Sequence, residues 1–270
     1  MLPLRKAGCG RQQHQVLPTK AGLLQAYQPR LNTCAEDPKV QHPQLTLPLG
    51  IVPASSFESF LPGKANLNAF ATIKALCSGE LNEQQLLLWG DRSVGKTHLL
   101  SAACANFTAK GYQVAYLTGA LANHADALHG LESFELVCVD DLHLLHTTSE
   151  EALFHFINRC RESQTRMIFA SRNSIDNMGY GLPDLLTRLS WGPVFQLQTL
   201  DDNELSTVLV HMFKLRGLEV GDDVIEYVLR RYPRDISVLK QLVDQLDSAS
   251  LREQRRITIP LIKSFSAETA

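Results

Sequence analysis

No apolar run in this chain approaches the roughly 18 residues that a membrane-spanning helix needs, so no helical membrane span is expected. The opening, MLPLRKAGCGRQQHQ, carries cations but no apolar stretch behind them, so no secretory leader is expected either. A surplus of one charge is also missing. Against 28 Asp and Glu stand 26 Lys and Arg, a net charge of −2. No general basic field therefore draws the chain onto nucleic acid or acidic membranes. Its six cysteines form no CxxC pair and no regular framework, and Cys104 and Cys138 fall in apolar segments where a reduced thiol acts as a small hydrophobe. A reduced chain in the cytoplasm is the reading. What the sequence does hold is core material. With 44% apolar residues and 20% charged ones over 270 positions, it suits one large domain or two small ones at about 150 residues each.

Residues 1–43 differ from the rest. They carry six Lys/Arg against two Asp/Glu, scattered Gln and Pro, and no sustained period. They read as a flexible tail, with a misplaced start as the alternative. Beyond Phe57, strand-like and helix-like stretches alternate. Strands are expected at Leu86–Trp89, Val114–Leu117, Leu136–Val139, Met167–Ala170 and Val194–Leu197, with helices at Thr97–Lys110 and Ala152–Arg161 between them. That alternation implies right-handed crossovers and a parallel sheet flanked by helices, an α/β base over 50–200. After Leu200 only helical patterns follow: Glu204–Arg216, Asp222–Arg231, Ile236–Leu251 and a last one after Ile259-Pro260. Residues 201–270 therefore read as a small all-α domain, opened by Asp201 or Asp202 as a cap.

The sharpest motif is Gly90-Asp91-Arg92-Ser93-Val94-Gly95-Lys96-Thr97, which has the G-x4-G-K-T spacing of a phosphate loop. Glycines let the backbone curl so that N–H groups face a phosphate, and the helix behind it adds its positive end. Lys96 is expected on the β- and γ-phosphates, and the Thr97 hydroxyl on Mg²⁺. An apolar strand ending in Asp140-Asp141 offers a carboxylate for the same ion. Asp141 either orients an attacking water or caps the next turn. His98, His143 and His146 lie nearby, but no set has convincing zinc spacing, and Mg²⁺ prefers oxygen. Two arginines stay open on spacing alone. Arg188 is either a surface ion-pair residue or a finger for a neighbour's nucleotide, and Arg234 can lean onto phosphates from the helical domain.

At these residues the chain resembles a known family. Phe57-Glu58-Ser59-Phe60-Leu61-Pro62-Gly63, Asn66, Ala69, the run Gly95-Lys96-Thr97-His98-Leu99-Leu100 and Asp140-Asp141 resemble the AAA+ module of the bacterial replication initiator DnaA. Gly181-Leu182-Pro183-Asp184-Leu185-Leu186-Thr187-Arg188-Leu189-Ser190-Trp191-Gly192, Leu246-Asp247-Ser248-Ala249-Ser250 and Ile257-Thr258-Ile259-Pro260 resemble the Hda group more closely, the DnaA paralogues that inactivate DnaA after initiation. Gln44-Leu45-Thr46-Leu47-Pro48-Leu49 is similar to that group's sliding-clamp-binding peptide, an extended segment whose glutamine and leucines suit an apolar pocket.

The resemblance implies an AAA+ P-loop NTPase fold with a helical lid, and a negative regulator of replication initiation. Such a protein binds ADP (or ATP) with Mg²⁺ through Gly90 to His98, sits on the DNA-loaded clamp through Gln44, Leu45, Leu47, Pro48 and Leu49, and reaches DNA only through it. Arg188 matches the arginine finger offered to ATP on DnaA. Arg234 matches the lid arginine termed sensor 2, Asp140 the Mg²⁺ carboxylate, and Asp141 stands where AAA+ ATPases usually have a glutamate base. Around sensor 1, Ala170-Ser171-Arg172-Asn173 matches poorly, and no residue is carried over. Self-association follows from the AAA+ pattern. The rival reading is an autonomous ATPase of the helicase-loader or clamp-loader kind.

Overall fold

In the computed structural model, residues 55–124 and 126–268 are described; the expectations for the 1–43 tail and for Gln44–Leu49 fall outside them. Five strands form one all-parallel sheet: β1 (Gln85–Trp89), β2 (Val114–Thr118), β3 (Leu136–Asp140), β4 (Arg166–Ser171) and β5 (Val194–Gln196). Their spatial order is β2-β3-β4-β1-β5, so β1 lies between β4 and β5. Helices α1 (Leu67–Ser78), α2 (Lys96–Ala109), α3 (Gly119–Ala122), α4 (Glu150–Glu162) and α5 (Pro183–Leu189) accompany it.

The strands are apolar at successive positions because both faces are covered. Leu86, Leu88, Leu136, Cys138, Ile168 and Ala170 turn to one side, against Ile73 and Leu76 of α1 and Leu99, Leu100 and Phe107 of α2. Leu87, Val137, Val139, Met167 and Phe169 turn to the other, against Leu153, Phe156 and Ile157 of α4 and Leu185 and Leu189 of α5. Each fully buried Leu or Phe contributes about 1.5–3 kcal/mol, which makes the sheet a rigid platform. The expected elements are present, with ends displaced by at most two residues. Three helices escape the sequence periodicity: α1, the four-residue α3, and α5. Apolar residues occupy so many positions of α1 that no face stands out, and α5 has only seven residues, begun by Pro183 at its first position.

Four further helices follow: α6 (Asp202–Lys214), α7 (Asp222–Arg231), α8 (Ile236–Glu253) and α9 (Ile259–Glu268). They enclose a separate core of Leu209, Phe213, Val228, Val243, Leu246 and Ile262. Asp201 opens α6 with a capping box: its Oδ1 accepts from the Glu204 amide at 2.7 Å, and Glu204 Oε2 accepts from the Asp201 amide at 3.1 Å. The other Glu204 oxygen accepts from the Lys64 amide at 2.8 Å, tying the start of the helical segment to the chain ahead of α1.

Asp201→Ala should lower unfolding stability by about 1 kcal/mol. Glu204→Ala, which also releases the Lys64 amide, should cost at least as much. Urea denaturation of both variants beside the parent protein checks this, and an unchanged midpoint would show that the cap is dispensable.

Candidate functional site

In a covered parallel sheet, polar chemistry is pushed to the strand ends. At the C-terminal ends of β1, β3 and β4 a cavity of about 1020 Å³ opens, lined by the phosphate-loop residues Arg92, Ser93, Val94, Gly95, Lys96 and Thr97 together with His98, Asp141 and Arg172. Gly95 stands at φ +101 with Phe60 packed over it, where a Cβ would meet the ring at 2.6 Å. Only glycine fits there. Ser93 and Asp141 also have left-handed backbones, at φ 61 and 52. Such conformations persist only where surrounding contacts hold them.

Lys96 is buried, and its ammonium donates to the carbonyls of Gly90 at 2.7 Å and Asp91 at 2.6 Å. The side chain thus lies inside the curl of its own loop. Burial lowers its pKa, while the charges of Asp140, Asp141 and Asp91 work the other way. The Thr97 hydroxyl donates to Asp140 Oδ2 at 2.6 Å, so the two residues expected to share an ion are in contact. Tyr116 donates to that same oxygen at 2.7 Å, and Asp140 Oδ1 takes the Asp141 amide at 2.8 Å. A hydroxyl beside a buried carboxylate is a hard-oxygen pair of the kind Mg²⁺ accepts beside phosphate oxygens. Among the described residues no cluster of three or more His, Cys, Asp or Glu suits a metal, so phosphate oxygens and water would have to complete the shell. Asp141 lines the cavity; burial and the neighbouring Asp140 raise its pKa, and His143 Nδ1 lies 3.9 Å from it.

His98 lines the cavity and is also tied to the segment that leads into α1. Its Nε2 is 3.0 Å from Ser59 Oγ and 3.3 Å from the Ser56 carbonyl, and its ring packs on Phe60. It fastens the segment that covers the loop.

The helical domain supplies the rest of the cavity: Val208, Met212, Leu215 and Ile236 as apolar wall, with Arg216 and Lys240 as cations. With Arg92, Lys96 and Arg172, five cations face one lining carboxylate; Arg216 is paired with Asp244, and the other four leave a field suited to a polyanion. Sequence reading missed these lid residues because helical spacing marks Val208 and Met212 simply as core. It missed Arg172 as well, although a cation one residue past β4 is at the sheet edge where ligands bind.

The lid also touches the loop itself. Ser93 Oγ donates to Asp235 Oδ2 at 2.8 Å, and Ser237 Oγ lies 3.1 Å from Ser93 Oγ. Asp235 meanwhile caps α8 by accepting from the Ser237 amide at 2.8 Å. Burial works against ionisation of Asp235, but these hydrogen bonds outweigh it and hold its pKa below the usual value.

The two arginines left open are not in the cavity. Arg234 pairs with Asp202 at 3.0 Å, both well exposed. Arg188 lies on α5, and its turn is fastened to the far end of β1. The Gln85 side-chain Nε2 donates to the carbonyls of Arg188 at 2.8 Å and Leu189 at 3.0 Å. Gln85 is the first residue of the strand whose last residue leads into the phosphate loop.

Residues 52–196 match the family described as the bacterial DnaA ATPase domain, and residues 201–265 match the Hda lid domain. Among solved structures, domain III of the replication initiation protein DnaA from Thermotoga maritima is 19% identical over 78% of this chain and 94% of its own, with a TM-score of 0.68. AMPPCP-bound DnaA from Aquifex aeolicus is 22% identical over 72% of this chain and 65% of that one, at a TM-score of 0.63. The Thermotoga maritima RuvB branch migration motor is 17% identical over 77% and 72%, at 0.58. At such identities the likeness is one of fold: an AAA+ α/β sheet with a helical lid.

Lys96→Ala should weaken nucleotide binding and leave the fold intact. A ligand at a hundred times its Kd raises the stability of the parent by about 2.7 kcal/mol. Thermal denaturation with ADP should show most of that gain lost in the variant, and an equal gain would remove Lys96 from the site.

Proposed function

We propose that this chain, which belongs to the bacterial DnaA ATPase family, is a nucleotide-bound adaptor that switches DnaA off. It holds ADP, or ATP, in its own loop and lends Arg188 to ATP held by DnaA. That it is a DnaA-related AAA+ regulator with an Hda-type lid follows from the two family matches. One observation carries the finer reading: the turn bearing Arg188 packs against Gln85 at the start of β1, while the chain's own phosphate loop leaves the end of that strand. An arginine so placed does not serve the cavity of its own chain. It is presented to another chain, where a guanidinium can neutralise charge developing on a transferring phosphoryl group.

In its own site, Gly90 to Thr97 would cradle the phosphates, Lys96 would turn from the Gly90 and Asp91 carbonyls to phosphate oxygens, and Thr97 and Asp140 would hold Mg²⁺. Bound Mg²⁺ supplies neutralisation of phosphate charge. Arg234, one residue before the contact of Asp235 with the loop, is proposed to exchange Asp202 for phosphate. Gln44, Leu45, Leu47, Pro48 and Leu49 are proposed as the clamp peptide, so that the chain reaches DNA through the clamp in the bacterial cytoplasm. Copies of the chain are proposed to associate side by side.

A second reading, an autonomous AAA+ ATPase, draws on Asp141, whose carboxyl lines the cavity with a raised pKa suited to accepting a proton. Turnover by the isolated chain separates the two. Slow hydrolysis unchanged by DNA fits the adaptor, whereas fast turnover abolished by Asp141→Asn fits the enzyme.

In a reconstitution of DnaA-ATP hydrolysis on DNA-loaded clamp, Arg188→Ala should bind ADP normally but lose most of the stimulation, by about 10³-fold if the finger acts as in other AAA+-like and GTPase systems. Unchanged stimulation would contradict the finger. Changing Gln44 and Leu47 together to Ala should abolish clamp capture in a pull-down without altering ADP affinity; retained capture would remove the peptide from the account.

A further inference from the structure

The Arg188 guanidinium lies over an aromatic ring. Its Cζ is 3.6 Å from the centroid of the Trp191 ring and 5.4 Å from that of Phe154, while a second guanidinium, that of Arg161, packs on the same indole at 4.1 Å. No ion pair of the described residues involves Arg188. Its main chain is the opposite case. The carbonyl accepts from the Gln85 side-chain Nε2 and, at 3.2 Å, from the backbone N–H of Trp191. Gly192 passes so close to the Gln85 backbone that a Cβ would not fit. At the other end of α5, the buried Glu150 carboxylate accepts from the amides of Gly181 at 3.1 Å and Leu182 at 2.8 Å. The backbone is bolted at both ends, and only the head group has freedom left.

We propose that Trp191 is a positioning residue for Arg188: the indole holds the guanidinium by its face and leaves its in-plane N–H donors open to a phosphoryl group on another chain. This rests on the reading of Arg188 as a finger acting on DnaA. The physical reason is geometric. A guanidinium carries five N–H donors in its own plane, and an aromatic face attracts the cation perpendicular to that plane. A carboxylate partner would bind two of those donors in a fork and would have to be displaced before phosphate could enter. Stacking orders the long side chain without consuming a donor, so less freedom remains to be lost when the partner docks. Arg161 on the same ring adds like-charge repulsion, which favours the release of Arg188 toward an anion.

The test is the DnaA-ATP hydrolysis assay on DNA-loaded clamp, with the full chain in its ADP-bound form titrated in. Trp191→Ala should lower the maximal stimulated rate about five- to thirtyfold, the factor that one such contact represents. The concentration giving half-maximal stimulation should stay within twofold of the parent, and Trp191→Phe should recover most of the rate. Full stimulation by Trp191→Ala, beside an inactive Arg188→Ala, would overturn the positioning role and leave the finger standing. A raised half-maximal concentration at an undiminished maximal rate would equally overturn it, by making Trp191 a docking contact. Full stimulation by Arg188→Ala would instead overturn the finger itself.

A second measurement does not depend on how well Trp191→Ala folds. The sequence has two tryptophans, so Trp89→Phe leaves Trp191 as the lone emitter. Removing Arg188 in that background should change the intensity and position of its emission. An identical spectrum would show that the stack is not held in solution and would overturn the proposal.

Discussion

A parallel sheet covered on both faces leaves only its two ends for polar chemistry, and everything else in this molecule follows from that constraint. Strand β1 lies between β4 and β5 and joins the two ends. From its last residue the chain curls into the phosphate loop; at its first, Gln85 receives the turn that carries Arg188. A five-residue strand at about 3.3 Å per residue separates them. The apolar residues of β1, β3 and β4 accept no hydration between the ends, so the sheet keeps the two sites apart as firmly as it holds each in place. Arg188 therefore stands at the opposite end of the sheet from the chain's own phosphate loop and does not line that loop's cavity.

Both ends use the same economy of polar contacts. Asp140 is almost wholly buried, yet its two oxygens take three donors, from Thr97, Tyr116 and the Asp141 amide. A buried carboxylate is tolerable when it is hydrogen-bonded in this way. Glu150 is treated alike at the base of α5. In each case a carboxylate that would be costly alone becomes a fixed point from which a functional segment is hung. Removing one member of such a set leaves the others buried without a partner, so the effect reaches beyond the single bond lost.

How much of this was legible beforehand depends on sequence distance. The phosphate loop is local: eight consecutive residues between an apolar strand and a helix carry their own explanation, and the lid helices announce themselves by spacing. Asp140 was legible because an apolar strand ending in a carboxylate is a local pattern too. The contact between Ser93 and Asp235 joins residues 142 apart, and no local pattern encodes it. Arg172, Arg216 and Lys240 converge on the cavity from three different elements, so each alone looks like a solvated cation. His98 lines the cavity, as its place beside Thr97 suggested, but its tie to the lead-in segment through Ser56 and Ser59 is a long-range contact that no local pattern encodes.

Arg234 stands one residue before the contact of the helical domain with the loop. Arg234 and Asp202 are both about two-thirds exposed, and an ion pair in that setting is worth about 0–1 kcal/mol. Its neighbour Asp235 is held by Ser93 on the loop and by two amides of α8. The weak contact thus lies one residue from the strong one. Asp235 keeps the start of α8 against the phosphate loop whatever Arg234 does, and Arg234 gives up little when it leaves Asp202. The exposed pair can therefore open without unfastening the lid contact made by Asp235. The same division recurs at Arg188, where the backbone is bolted and the guanidinium merely stacked. In both places a segment is fixed by hydrogen bonds, at the Asp235 side chain and at the Arg188 carbonyl, while the arginine head itself is held more weakly.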